Sequence, residues 1–140
     1  MTETLLLGSI VAHQWQCDHF AHLNVRHYAA AFDDAIFILW KRLGLTAPVL
    51  GSPGTMPVTA EIKTTFASET VAGTIANVHG KVLRVGSKSV VLGLEMTEEG
   101  SGRFLASCEA VEVFFDMHAR VSCCIPEDLR GRLLELVPPS

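Results

Sequence analysis

A long stretch with helical periodicity is the feature that most constrains how this chain can fold. Between positions 25 and 43, apolar residues recur at steps of three and four, which places them on one stripe of an α-helix. They are Val25, Tyr28, Ala29, Phe32, Ala35, Ile36, Leu39, Trp40 and Leu43. Asn24 is a good N-cap just before the stripe, and Gly44 can end the helix in the left-handed conformation. We therefore predict one long helix whose heavy side chains form the core.

Outside this helix, apolar and polar residues alternate with a period of two, which is typical of β-strands. The alternation predicts five strands, at residues 5–16, 58–66, 71–85, 89–96 and 103–117. A loop rich in proline and glycine covers residues 46–57, and Pro126 opens a short closing helix. Because short turns join most of the strands, neighbouring strands should pair antiparallel. The prediction is an α+β fold with one long helix against a five-stranded antiparallel sheet.

The composition fits a folded domain and excludes several classes of protein. A length of 140 residues corresponds to one domain, and 49% hydrophobic with 19% charged residues excludes intrinsic disorder. A formal net charge of −4 argues against a nucleic-acid-binding protein, which needs excess positive charge. No signal peptide and no membrane-spanning segment is recognisable. The four cysteines form no disulfide pattern, so we expect reduced thiols and a cytoplasmic location.

The edges of such a sheet predict self-association. An edge strand exposes unpaired N–H and C=O groups, and pairing two protomers edge to edge would cover them. The low share of charged residues also indicates apolar surface for a partner subunit. We therefore expect a homodimer or a dimer of dimers, which would be a homotetramer.

The most informative stretch for function precedes the long helix. It places the carboxylate of Asp18 in a polar turn just before the helix N-terminus. The first N–H groups of a helix lack intrahelical partners and can hold an oxyanion. A carboxylate beside such donors can attack a carbonyl or activate water. The alternative is that Asp18 only satisfies the amides of its own turn.

The residues of this stretch resemble a known family. The pattern Asp18-x-x-Ala21-His22-x-Asn24, followed by a tyrosine and a helix ending in Leu-Gly-Leu, is similar to that of hot-dog-fold acyl-CoA thioesterases of the 4-hydroxybenzoyl-CoA thioesterase type. The resemblance extends over about residues 8–135. Ala21 stands where the family usually has glycine. The resemblance implies that residues 1–140 form a single hot-dog domain, with the sheet wrapped around the central helix.

The same resemblance implies an activity and roles for individual residues. It implies cleavage of an acyl-CoA thioester by water, with Asp18 as nucleophile or general base. The backbone N–H of Val25, at the helix start, would polarise the thioester carbonyl. The active sites of this family lie at the dimer interface, one per protomer.

Three further residues are weaker candidates for the catalytic site. His22 could orient the substrate, or it could only stabilise the turn. Asn24 is an N-cap first and a site residue second. Glu61 lies on the strand face opposite to Val58, Ala60 and Ile62, so it could reach a neighbouring protomer's pocket, although pairing with Lys63 is the simpler interpretation.

Binding of the coenzyme and of metals can also be weighed from the sequence. Arg84 and Lys88 flank a turn between two strands, where the resemblance places basic residues on the phosphates of CoA; an ordinary charged hairpin is the alternative. His13, Cys17, His19 and His22 crowd one region, but no second cluster completes a zinc site. We expect no metal and no cofactor other than the CoA of the substrate.

The sequence thus predicts a hydrolase for a small or medium acyl-CoA. One alternative is a non-catalytic hot-dog module that binds an acyl-CoA, which Ala21 in place of glycine would favour. A dehydratase on the same fold is less well matched, because Asp18 and His22 do not resemble the His-acid pair of those relatives.

Overall fold

The structure is a computed structural model that describes residues 4–45 and 54–139. It contains six strands and two α-helices in these ranges. The strands are β1 (Leu5–Val11), β2 (Thr55–Phe66), β3 (Ile75–Val85), β4 (Ser89–Glu98), β5 (Phe104–Asp116) and β6 (Val121–Ser122). The helices are α1 (Val25–Arg42) and α2 (Glu127–Glu135).

The strands form one antiparallel sheet in the order β1-β3-β4-β5-β2, so β1 and β2 are its edges. The short β6 pairs with the end of β5 and was not predicted. Helix α1 packs against β1 and β3. The predicted α+β architecture, with a long helix covered by an antiparallel sheet, is confirmed. No helix in the described ranges is long and apolar enough to cross a membrane.

Helix α1 begins and ends where the sequence predicts. The Asn24 side chain accepts a hydrogen bond from the N–H of Arg26, and Gly44 has a φ of +90° just after the helix. The buried face of α1 consists of Tyr28, Ala31, Phe32, Ala35, Ile36, Leu39 and Trp40. The stripe was wrong at Val25 and Ala29, which are exposed. Both lie among the first five residues of the helix, and the rows that contain them become buried only further along, at Phe32, Ile36 and Trp40.

The first strand is shorter than predicted. It ends at Val11, and a turn of 3₁₀ helix covers Gln14–Gln16 instead of more strand. The N–H of His13 donates to the Gln16 side chain at 2.9 Å, and the N–H of Gln16 donates to the His13 carbonyl at 2.9 Å. These local bonds replace a sheet partner, because β3 begins only at Ile75 opposite Val11. The turn directs the chain towards the start of α1.

Strand β2 is longer than predicted and forms an edge of the sheet. It begins at Thr55, so residues 55–57 belong to the strand rather than to the loop; residues 46–53 of that loop lie outside the described part of the chain. Pro57 is tolerated because an edge strand has no partner on its outer side. None of the residues of β2 is buried.

A bulge in β2 changes which of its residues share a face. The register with β5 shifts between Thr59 and Glu61, so Val58 lies opposite Val113 and Glu61 lies opposite Val111. Residues two apart on β5 point to the same side, so Val58 and Glu61 share a face. The prediction that Glu61 and Val58 lie on opposite faces of β2 is therefore wrong. The prediction that Glu61 and Ile62 lie on opposite faces is confirmed.

Candidate active site

The turn before α1 is organised around the Asp18 carboxylate. Its Oδ1 accepts hydrogen bonds from the backbone N–H of Phe20 at 2.8 Å and of His22 at 3.2 Å. The N–H of Asp18 donates to the His22 carbonyl at 2.8 Å. Cys17 and Leu23 form an isolated antiparallel β-bridge, which closes the turn. Among the described residues, no group donates to the second oxygen, Oδ2. One oxygen of Asp18 thus shapes the turn and the other is free for chemistry.

The same contacts set the ionisation of Asp18. The hydrogen bond from Phe20 lowers the pKa of the Asp18 carboxyl below its usual value, and desolvation opposes this to a smaller extent. The N–H of His22 and the nearby imidazoles of His19 and His22 also lower the pKa. Asp18 is therefore a carboxylate at neutral pH.

Ala21 adopts a backbone conformation that favours glycine. Its φ is +65°, in the left-handed region, and its N–H donates to the Asp18 carbonyl at 2.9 Å. A side chain with a Cβ is strained there, at a cost of roughly 1–2 kcal/mol. The turn thus keeps its shape without glycine, because the hydrogen bonds around Asp18 hold it.

The start of α1 leaves one donor free. The Asn24 side chain caps the N–H of Arg26 at 3.1 Å, and its carbonyl accepts from His27 at 2.9 Å. Within residues 4–45 and 54–139, no acceptor pairs with the N–H of Val25. Asn24 is therefore confirmed as the N-cap, and Val25, the residue at which the resemblance implies a polarising N–H, has an unpaired amide.

A cleft of about 540 Å³ opens beside this helix start. Its lining is formed by Leu23, Val25, Tyr28, Phe66, Ala67, Ser68, Glu69 and Arg103. The side chain of Val25 is 62% exposed in the monomer. Neither Asp18 nor His22 is among the lining residues, but Asp18 accepts from the N–H of His22, and the His22 ring contacts Glu69, which lines the cleft. The structure thus brings Val25 and the turn of Asp18 to one place.

Two charged residues of the cleft were missed by sequence reasoning. Glu69 Oε2 lies 3.2 Å from His22 Nε2, and Arg103 donates to the Glu69 carbonyl at 3.0 Å. Neither residue belongs to a recognisable local motif, because a helix and a strand separate Glu69 from His22 in the sequence. Only the folded chain brings them together.

The remaining predicted site residues lie elsewhere in the protomer. Glu61 is exposed on the β2 face turned away from α1, because its neighbour Ile62 lies opposite buried Ala110. Arg84 and Lys88 are exposed at the β3–β4 turn, where the N–H of Gly86 donates to the Ser89 carbonyl at 2.8 Å. This turn lies at the end of β3 opposite to the end near Asp18. One protomer does not bring these three residues to the cleft.

The residues weighed as metal ligands have other contacts. Cys17 Sγ donates to the His13 carbonyl at 3.5 Å, the rings of His19 and Phe20 are 4.0 Å apart, and His22 faces Glu69. No group of three potential ligands is assembled in the described ranges. All four cysteines are free thiols, as predicted, and a cytoplasmic location stays a prediction.

Comparison with known proteins identifies the family. A model of the thioesterase-like superfamily matches residues 11–133, which is most of the chain. The chain belongs to the thioesterase-like superfamily. Membership confirms the resemblance to hot-dog thioesterases and supports thioester hydrolysis as the reaction class. A search of curated protein sequences finds no match.

Solved structures of thioesterases share the fold of this superfamily member. A protein described as a predicted thioesterase from Bacillus stearothermophilus aligns with a TM-score of 0.84, 18% identity and 99% coverage of both chains. A hypothetical protein from Staphylococcus aureus, solved in complex with CoA, aligns with a TM-score of 0.86 and 20% identity. The alignment covers 100% of this chain and 89% of that one. A 1,4-dihydroxy-2-naphthoyl-CoA thioesterase from Synechocystis aligns with a TM-score of 0.81 and 12% identity, and the alignment covers 98% of this chain and 100% of that one. At these identities, the similarity shows the fold.

The strain at Ala21 predicts that Ala21→Gly stabilises the protein. Relief of the left-handed conformation should raise the free energy of unfolding by about 1 kcal/mol, measured by urea denaturation. Ala30→Gly, on the exposed face of α1, is the matched control and should lower it by about 1 kcal/mol. If both substitutions lowered the free energy of unfolding equally, Ala21 would not be strained by a left-handed conformation, and the account of this turn would be contradicted.

Proposed function

We propose that this protein is an acyl-CoA thioesterase that hydrolyses a small or medium acyl-CoA to the free acid and CoA. The observation that carries the proposal is the unpaired N–H of Val25, a residue that lines the cleft, at a helix start that directly follows the turn of the ionised Asp18 carboxylate. Thioester hydrolysis develops negative charge on the carbonyl oxygen, and a fixed amide donor stabilises this charge. Family membership supports the same reaction class.

The chemistry assigns one task to each group. The Val25 N–H would donate to the thioester carbonyl, aided by the positive end of the α1 dipole. The free Oδ2 of Asp18 would bond to the acyl carbon as a nucleophile, or would take a proton from the attacking water. In both cases the C–S bond breaks and CoA leaves as a thiolate. Asn24 holds the helix start, and His22 holds the turn of Asp18.

The substrate class rests on the cleft and on the names of structural neighbours. Val25, Tyr28 and Phe66 give the cleft an apolar side suited to an acyl group. One neighbour was solved with CoA and another is named as a thioesterase for an aromatic acyl-CoA, which supports CoA as the carrier. Arg84 and Lys88 stay our candidates for contacts with the CoA phosphates.

A second copy of the chain would complete the site. Strand β2 is an accessible edge whose Val58 and Ile62 side chains are 42% and 47% exposed, and pairing it antiparallel with its copy would cover both the edge and these side chains. Such pairing sets the start of one β2 beside the end of the other. Lys88 lies at the start end, because its carbonyl accepts from Phe114 and Phe114 lies opposite Pro57. The partner's basic turn would then lie at the same end of the double sheet as this cleft.

This pairing predicts a dimer or a dimer of dimers in solution. Sedimentation velocity should give a mass of two or four times the 15.2 kDa chain. Ile62→Lys should shift the protein towards monomer, because a charge would enter the paired edge. The control Leu6→Lys, on the other edge strand, should leave the assembly intact. A monomeric wild type would contradict the proposed interface.

The role of Asp18 predicts that Asp18→Asn loses most of the activity without unfolding. The asparagine oxygen can still accept from Phe20 and His22, but it is neither a nucleophile nor a base. We expect kcat/KM to fall at least about 10²-fold, measured as thiol release from a panel of acyl-CoA esters of increasing chain length. Asp34→Asn, on the exposed face of α1, is the matched control. Turnover of Asp18→Asn at the wild-type rate would remove Asp18 from the mechanism.

A non-catalytic binding module is the second candidate. It is favoured by one observation, that Asp18 does not line the cleft while one of its oxygens is engaged by two amides. Calorimetry that detects binding of an acyl-CoA, with no release of free thiol from any member of the panel, would decide for the binding module.

A further inference from the structure

We propose that Glu69 is a positioning residue of this site, which holds the His22 imidazole with its proton on Nε2 and its lone pair on Nδ1. The inference rests on the proposed hydrolysis of a thioester. It goes further by making His22 the base that accepts a proton from the water that completes the hydrolysis.

The geometry of the pair favours one tautomer of the His22 imidazole. Glu69 Oε2 lies 3.2 Å from His22 Nε2, within reach of an N–H···O contact. An ionised carboxylate can only accept, so the contact is attractive only when Nε2 carries the proton. In a neutral imidazole Nδ1 then has the lone pair, and no described residue donates to it.

The backbones of both residues are held in place. On the His22 side, its N–H donates to Asp18 Oδ1 and its carbonyl accepts from the Asp18 N–H at 2.8 Å. His22 also forms a β-bridge to Val71, and the N–H of Leu23 donates to the Thr70 carbonyl at 2.7 Å. The turn of Asp18 and the segment that carries Glu69 are therefore joined directly.

The segment that carries Glu69 is also anchored to the helix and to the sheet. The buried hydroxyl of Tyr28 on α1 donates to Thr70 Oγ1 at 2.7 Å. Arg103 donates to the Glu69 carbonyl, and the N–H groups of Ala67 and Ser68 both donate to the Leu105 carbonyl. Glu69 is thus presented from a fixed backbone and not from a loose loop.

Stability does not account for this pair. The side chains of His22 and Glu69 are 34% and 71% exposed, and ion pairs so open to water contribute little to folding. The position of the pair is the distinguishing feature, because Glu69 lines the same cleft as Val25. A carboxylate that orients an imidazole beside a site of carbonyl chemistry is a common way to keep histidine in the tautomer of a base.

Asp18 was given two possible roles above, nucleophile or general base. Because His22 is now the base, Asp18 is the nucleophile. Asp18 Oδ2 bonds to the acyl carbon as the C–S bond breaks and CoA leaves as a thiolate. Water then bonds to the acyl carbon, its proton passes to His22 Nδ1 and on to the thiolate, and the bond to Asp18 breaks. Glu69 keeps its contact with Nε2 and stabilises the imidazolium that forms in between.

The test compares Glu69→Ala with wild type by nitrogen-15 NMR of the imidazoles and by acyl-CoA turnover. We expect His22 to be the Nε2–H tautomer in wild type and a mixture of tautomers in Glu69→Ala. We expect kcat to fall about 10- to 100-fold while KM changes little. Glu135→Ala, an exposed carboxylate on α2, is the matched control and should change neither readout.

Two results would overturn the proposal: a His22 tautomer that is the same in Glu69→Ala and wild type, or wild-type kcat in the variant. Partial recovery of kcat in Glu69→Asp would support it. If wild type itself released no thiol from any acyl-CoA, the proposed function would fail, whereas the NMR comparison would still report whether Glu69 sets the tautomer. The two failures are therefore distinguishable.

Discussion

The unpaired backbone amide at the first residue of α1 is the constraint on which the site depends. A helix start always leaves N–H groups without partners. Here Asn24 satisfies the amide of Arg26 with its side chain and that of His27 with its carbonyl, and the amide of Val25 stays free beside a cleft. The rest of the structure serves this arrangement. The sheet fixes the helix through its buried face, and the turn of Asp18 brings a carboxylate to the same end.

The turn and the cleft are connected by hydrogen bonds and not only by proximity. One oxygen of Asp18 holds the backbone of His22, and the ring of His22 contacts Glu69, which lines the cleft. The Tyr28 hydroxyl donates to the neighbouring Thr70, so the segment with Glu69 is anchored to α1. A free amide, an ionised Asp18 and an oriented imidazole are thereby fixed relative to one another. This preorganisation is what a hydrolytic site requires.

The sequence predicts those parts of the site that depend on local chemistry. Asn24 as the cap, Val25 as the first helical residue and Asp18 in the turn follow from residue types and helical spacing. The contact of Glu69 with His22 does not, because it depends on how the β2–β3 connection packs on the helix start. The bulge at Ala60 also has no local signal in the sequence, although it changes which residues of β2 share a face. Strand β1 ends early because β3, its only partner among the described residues, begins at Ile75 opposite Val11.

Replacing Val25 by proline tests the central claim most directly, because it deletes the free amide and little else. Proline is favoured at the first position of a helix, and Asn24, with φ −70° and ψ 146°, has the extended conformation that a residue before proline adopts. With Val25→Ala as the control that keeps the N–H, kcat for acyl-CoA hydrolysis should fall about 10²- to 10³-fold in Val25→Pro alone. A folded Val25→Pro protein that turns over as fast as Val25→Ala would contradict the account.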